Sequence, residues 1–524
     1  MSHPETGARM AFRRSTVRSR SAPPDPSATC ADPTGLAVPG RRIRLSRPSL
    51  SFWKIAMRTM RIVNVIPHPH SGESIWDGEP SIAVNPRNVA EMVITTQGTP
   101  TEDPGRQGPK GSIFFSLDGG ETWSLGHIIP DKGQGDQSPC FASTSNELYI
   151  AVLPKGSLFH GEMDVIRISG SSAPPVVAFM MESRKQNIDQ PWVVATTVVG
   201  GLDAGKDRLY VGYRLLAGHG GSDDDESDEV GSAMIDICLD ASSATPVFTH
   251  VRLDPRSKLD GYPVRPVVHS DGTVYVAYES VTSVSPDRRF WTVDLVVARD
   301  DEWASGASTA PFTALRDPGD NEAGRILARG VLIPTGGSLG GVRLGNDLSI
   351  AVDPTNSDLV YLVWCDTATA AGVYTLRLLR SNNRGSHWSS AGLSPIENAT
   401  LVCLAINDRG RVGLLYQKSV AGLMETHFQT TADGASWDDT LLARTEPTTG
   451  FSGDYARIVA AGSGFYGVFP AMNSPWPANF FPNGGGTFNY QRNVDYKGHL
   501  ISRHGDTIIR PSVDPFFFKI LDVD

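Results

Sequence analysis

The octapeptide Ser116-Leu117-Asp118-Gly119-Gly120-Glu121-Thr122-Trp123 follows a β-prone run, Ser112-Ile113-Phe114-Phe115. Asp118-Gly119-Gly120 is turn chemistry. The carboxylate accepts backbone N–H groups, and glycine takes positive φ at little cost. Trp123 opens the returning strand and offers a large apolar face to whatever packs on the hairpin. The stretch therefore predicts a tight β-hairpin.

Two worn versions occur further along. Ser381-Asn382-Asn383-Arg384-Gly385-Ser386-His387-Trp388 has Asn for Asp and His for Thr, and Thr431-Ala432-Asp433-Gly434-Ala435-Ser436-Trp437 is one residue shorter. A second pattern repeats as well. Ser81-Ile82-Ala83-Val84-Asn85-Pro86-Arg87-Asn88 returns as Ser349-Ile350-Ala351-Val352-Asp353-Pro354-Thr355-Asn356, with six identities at an offset of 268. Self-similarity at a fixed spacing is the mark of a repeat architecture. Weaker copies, each an apolar strand, a Gly/Asn/Asp turn and a second strand, begin near Gln137, Asp189, Tyr262, Ala399 and Asp454. That makes seven units of about 67 residues between residues 61 and 524.

Ser-x-Asp-x-Gly-x-Thr-Trp resembles the Asp-box, or BNR repeat, of sialidase-like β-propellers. In that family the box joins the third and fourth strands of a blade, on the rim away from the active site. The expectation is all-β: a seven-bladed β-propeller with four antiparallel strands per blade, or six blades as in sialidases proper. Closure requires a strand from one end of the chain to complete the last unit. Arg61–Ile66 is the candidate, pairing near Phe488-Asn489-Tyr490-Gln491, with the tail Ile508–Leu521 packed outside.

Residues 1–60 stand apart. They hold eleven Lys/Arg against three Asp/Glu, with much Ser and Pro, and read as a disordered extension before a single domain over 61–524. A transit peptide or an upstream start, with Met57 or Met60 the true one, would each account for them. No signal-peptide core is evident, which slightly favours the cytoplasm. The whole chain has a net charge of −10, so residues 61–524 carry about −18, acidic enough to disfavour nucleic acid. No stretch approaches the ~20 apolar residues of a membrane span. The five cysteines (Cys30, Cys140, Cys238, Cys365, Cys403) are scattered and read as free thiols. They and the histidines show no metal spacing, the pair His68 and His70 lacking a third ligand. The acidic run Asp223–Glu229 reads as a solvated loop. No cofactor is expected, and the oligomeric state is open.

In a propeller the residues just before each innermost strand converge on one face of the channel. Here they are rich in acids, with arginine and tyrosine. Glu79, Asp189, Tyr262, Asp347, Asp454 and Tyr455 are the candidate catalytic groups. Arg265, Arg343 and Arg457, with the loop aromatics Trp76 and Trp476, are the candidate substrate contacts. Three chemistries fit. Paired carboxylates serve glycoside hydrolysis as acid and base. A Tyr beside a carboxylate serves as nucleophile, as the resemblance implies. A Tyr with an Arg abstracts the proton next to a uronate carboxylate. The expected function is a carbohydrate-active enzyme of the sialidase-like superfamily, hydrolase or lyase, with a glycan or small sugar-like substrate. The alternative is a non-catalytic propeller that binds glycan or protein. In that case the same acids would hydrogen-bond neighbouring blades. In either case Trp192 and Trp364, which lie within strands, read as core.

Overall fold

The structure, a computed structural model, describes residues 58–522 apart from 75, 99–110, 129–132, 156–161, 170–177, 186–187, 217–230, 258, 260–262, 288, 335–346, 370–371, 448–452 and 475. The expectations for residues 1–57, for the acidic run 223–229 and for Tyr262 and Arg343 lie outside the described residues.

The described chain is almost entirely β. β1 is Arg58–Asn64, starting three residues before the expected boundary. Then come β2 (Ser81–Val84), β3 (Met92–Thr96), β4 (Ser112–Ser116) and β5 (Ser124–Ile128), an antiparallel sheet in sequence order. The same order holds for β6 (Gly133–Phe141), β7 (Leu148–Lys155), β8 (Glu162–Ile168) and β9 (Ala178–Lys185), and for β10 (Ile188–Thr197), β11 (Asp207–Leu215), β12 (Ser232–Cys238) and β13 (Phe248–Arg252). β14 (Val264–Val268), β15 (Val274–Val284), β16 (Phe290–Asp300) and β17 (Arg325–Pro334) follow. β18 (Leu348–Asp353), β19 (Asn356–Thr367), β20 (Tyr374–Ser381), β21 (Ser389–Ser390) and β22 (Ile396–Glu397) join them through one residue pair, Leu332 with Thr367. β23 (Ala399–Ile406), β24 (Val412–Val420), β25 (Leu423–Thr431) and β26 (Asp438–Thr445) form another four-stranded sheet.

The last sheet mixes both ends of the chain. β27 (Arg457–Ala461), β28 (Gly464–Met472) and β29 (Thr487–Asn489) combine with β30 (Val513–Asp522) and β1 in the order β27-β28-β30-β1-β29. Ile62 faces Phe488 in a parallel register, at the place the sequence suggests. The tail does not pack outside. β30 lies between β28 and β1, because Phe516, Phe517 and Phe518 are all fully buried and need a sheet neighbour on each side. β17 lies in the long stretch before β18, and His68–His70 is a short 3-10 turn.

The sheets stack face to face, so their strands are apolar on both sides rather than alternating. Ala83, Ile113, Ile150 and Val152 fill the gap between the first sheet and the second. Val84, Phe114, Trp123, Val468 and Phe517 fill the gap between the first sheet and the last. The first strands follow one another: β2 packs on β6, then β10, β14, β18, β23 and β27, and β27 packs again on β2. Side chains link them. The Ser138 hydroxyl accepts the Val193 N–H at 3.1 Å, and the Ser349 hydroxyl accepts the Leu404 N–H at 3.0 Å.

The octapeptide hairpin joins β4 to β5. Asp118 accepts the N–H groups of Glu121 and Thr122 at 3.0 Å and the Thr122 hydroxyl at 2.6 Å, while Ser116 Oγ accepts the Gly120 N–H at 2.8 Å. The two worn hairpins repeat this. Ser381 Oγ accepts the Gly385 N–H at 2.9 Å and Thr431 Oγ1 the Gly434 N–H at 2.9 Å; Asn383 and Asp433 accept the following N–H groups.

Candidate functional site

At or near the start of several first strands the backbone is left-handed at non-glycine residues: Glu79 (φ 52°) before β2, Gln190 (φ 53°) within β10 and Asn398 (φ 56°) before β23. Such conformations cost about 1–3 kcal/mol each and gather where a side chain must be held in place.

Trp192, in β10, is the centre of the site. The Arg265 guanidinium lies 4.3 Å and the Arg457 guanidinium 4.5 Å from its ring centroid. Tyr455 meets it edge-on at 5.8 Å. Arg265 comes from β14, Arg457 from β27, and Tyr455 from the turn before β27, so three sheets contribute. Trp192 is therefore not simple core, contrary to the expectation for a strand tryptophan. Cation–π contact on a desolvated ring is worth up to ~2 kcal/mol.

The arginines differ in their other contacts. Arg457 Nη1 donates to Ser81 Oγ at 3.0 Å, Ser138 Oγ at 2.9 Å and the Pro139 carbonyl at 3.1 Å. It ties the first strands of three sheets together. Arg265 Nη2 donates to Gln190 Oε1 at 3.3 Å, while its buried Nη1 meets no acceptor in hydrogen-bond geometry. Burial lowers the Arg265 pKa to about 10.

Five carboxylates, Glu79, Asp136, Glu279, Asp347 and Asp454, interact with this group or with one another. Asp136 accepts from Gln97 Nε2 at 3.0 Å. Tyr455 is pushed well above the usual phenol range, by burial first and then by the charges of Asp136 and Glu79. It stays protonated at neutral pH. Glu279, on β15, is fully buried, and neither of its oxygens meets a donor in hydrogen-bond geometry. Burial raises it well above the carboxylate range, against the pull of Arg265. Asp347 is pushed up to about 7 by burial, although it accepts from the Thr400 hydroxyl at 2.9 Å and the Val402 N–H at 3.1 Å; the nearby Asp454 charge adds to the rise.

The remaining candidates are spread around this centre. Asp189 sits at the β10 bulge, 3.6 Å from Arg214 Nη1. Trp76 lies half-buried against Gly78, where an added Cβ would fall 2.1 Å from its ring. Trp476 is 56 % exposed, with its ring over Gly498 in the 473–512 connection. Sequence reasoning passed over Glu279 and read Trp192 as core. The signal for Glu279 was present: one acid inside the apolar run Val274–Ser280.

No known family profile matches the chain, and no curated protein does. Among solved structures, a polysaccharide lyase, an ulvan lyase bound to -[GlcA(1-4)Rha3S]-, aligns with 76 % of this chain and 92 % of its own, at 9 % identity and TM-score 0.46. The phage phi92 endosialidase aligns with 88 % of this chain and 69 % of its own, at 11 % identity and TM-score 0.40. The Kuenenia stuttgartiensis hydrazine synthase aligns with 79 % and 95 %, at 13 % identity and TM-score 0.39.

Proposed function

We propose that the chain is a seven-bladed Asp-box β-propeller and a carbohydrate-active enzyme, cleaving a glycosidic bond where Tyr455, Arg265 and the buried acids meet. The blade count is supported by the succession of first strands from β2 to β27 and back. The Asp-box assignment is supported by the hydrogen-bond pattern shared by the three hairpins.

The observation that carries the activity is the convergence on Trp192. A tyrosine, two arginines and the neighbouring carboxylates come from sheets remote in sequence. Arg265 Nη1 and both Glu279 oxygens are left for a polar occupant. Because Tyr455 stays protonated, it donates a proton to the leaving oxygen, or it attacks the glycosidic carbon while Asp136 or Glu79 takes its proton. In the second case the C–O bond breaks, a protonated acid such as Asp347 gives its proton to the leaving oxygen, and water then displaces the tyrosine. Free phenolate acting as a base, which simple elimination from a uronate would need, is disfavoured by that same burial. Arg265 is the group suited to a substrate carboxylate. The candidates Glu79, Asp347 and Asp454 supply further acid or base groups, and Trp76 the nearby aromatic face.

The test is a glycan-release screen with sialosides and uronate polymers. Tyr455→Phe and Asp136→Asn should each lower turnover by about 10²-fold or more. Asp189→Asn should change it little, because Asp189 already pairs with Arg214. Unchanged turnover in both of the first two variants would remove this site. A second reading, glycan or protein binding without catalysis, is favoured by Asp347 and Arg457, whose polar atoms bond neighbouring sheets. Binding on a glycan array with no release of any sugar would establish it instead.

A further inference from the structure

Glu73 and Asp77 lie in the segment that leads from β1 to β2, and Asp514 lies at the start of β30. Each offers a carboxylate oxygen, and these oxygens all lie within 4.8 Å of one another. All three residues are fully buried. Oxygens that share one calcium ion stand at most about 5 Å apart, twice the metal–oxygen distance of ~2.4 Å.

Among the described residues, the group sets three carboxylates beside the fully buried Arg492, whose Nη1 is 3.0 Å from Glu73 Oε1 and from Asp514 Oδ2. Asp514 is held in place by Asn64 Nδ2 and Asn473 Nδ2, each at 2.7 Å. Asp77 differs: neither of its oxygens meets a donor in hydrogen-bond geometry, although the Thr96 side chain is beside it. The backbone makes room for that carboxylate, since a Cβ on Gly98 would fall 2.0 Å from Asp77 Oδ1. A buried carboxylate is either neutralised by a proton or held by a cation.

We propose that Glu73, Asp77 and Asp514 bind one divalent metal ion, calcium by ligand class, beneath the 473–512 connection. The donors are hard oxygens from carboxylates, with no Cys or His among them, which suits calcium rather than zinc. Backbone oxygens and water would fill the remaining positions. The ion would clamp the 65–80 segment to the start of β30 and to Arg492, and so fix the turn at Glu79. The inference does not depend on the proposed activity.

The full chain, dialysed against a chelator, is titrated with calcium. Expected are about one calcium per chain by elemental analysis and a rise in Tm of at least a few degrees at saturating ion. Terbium provides a readout that needs no variant. Trp76 adjoins Asp77, so excitation of tryptophan should give terbium emission that calcium displaces. Asp77→Asn should abolish the calcium-dependent rise in Tm. If Asp77 is instead a neutral acid, Asp77→Asn is nearly isosteric with it. The variant would then match the parent's Tm in chelator, and calcium would bind neither. That result, or absence of displaceable terbium emission from the parent chain, would overturn the proposal.

Discussion

Asp347 illustrates how burial alone changes what a side chain is. In water its carboxyl would be ionised at pH 7; here it is pushed up to about 7. The folded state therefore holds a proton that the unfolded chain releases near pH 4. The stability this contributes is fully present below pH 4 and declines as the pH rises from about 4 to 7. Glu279, also raised by burial, acts with the same sign. Asp347→Asn should flatten the pH dependence of urea unfolding between pH 4 and 7, and should cost less stability at pH 8 than at pH 5. An unaltered profile would show that Asp347 is ionised in the fold.

At the scale of an element, the octapeptide hairpin is a docking device as well as a turn. It belongs to the first sheet but rests on the last. Trp123 packs on Phe517 with centroids 5.2 Å apart, Lys519 Nζ donates to the Gly119 carbonyl at 2.9 Å, and Glu121 pairs with Lys519 and Arg61. The worn hairpins do the same to the sheets before them. Arg384 reaches Thr273 and Asp301, and Trp437 Nε1 donates to the Ala391 carbonyl. This explains why glycine recurs at the inner position. Gly120 has φ +81°, and a Cβ there would fall 2.1 Å from the Phe517 ring. Gly120→Ala should destabilise the fold by about 2–4 kcal/mol, combining backbone strain with overpacking. A urea midpoint equal to that of the parent would refute the docking role.

At the scale of the whole molecule, β1 joins the start of the described chain to the strands near its end in one sheet. It supplies the buried Ile62 and Val63 and covers one side of β30, with its three buried phenylalanines. Removing residues through Asn64 should cost stability on the order of the ~5–15 kcal/mol that holds a domain folded. It should also expose a hydrophobic strand edge. Loss of the cooperative urea transition, together with larger species in size-exclusion chromatography, is the expected outcome. A monomer with an unchanged transition would exclude β1 as the closing strand.

Much of the architecture was written locally. Asp118-Gly119-Gly120 with Trp123 announces its hairpin because a turn needs only neighbouring residues. The pair Ser81–Asn88 and Ser349–Asn356 announces a repeat because similar surroundings select similar side chains. Even the partner of β1 near Phe488 follows from the need to close a repeat. The candidate site was legible only as a set of positions before strands; what each group does was not. Arg492 meets Glu73 across 419 residues, and Arg457 meets Ser81 across 376. Nothing local distinguishes an arginine that ties strands together from one left partly unsatisfied. The place of β30 inside its sheet, the burial of Glu279 and the two arginines on Trp192 were decided by tertiary structure, since desolvation and charge pairing exist only once remote segments share one interior.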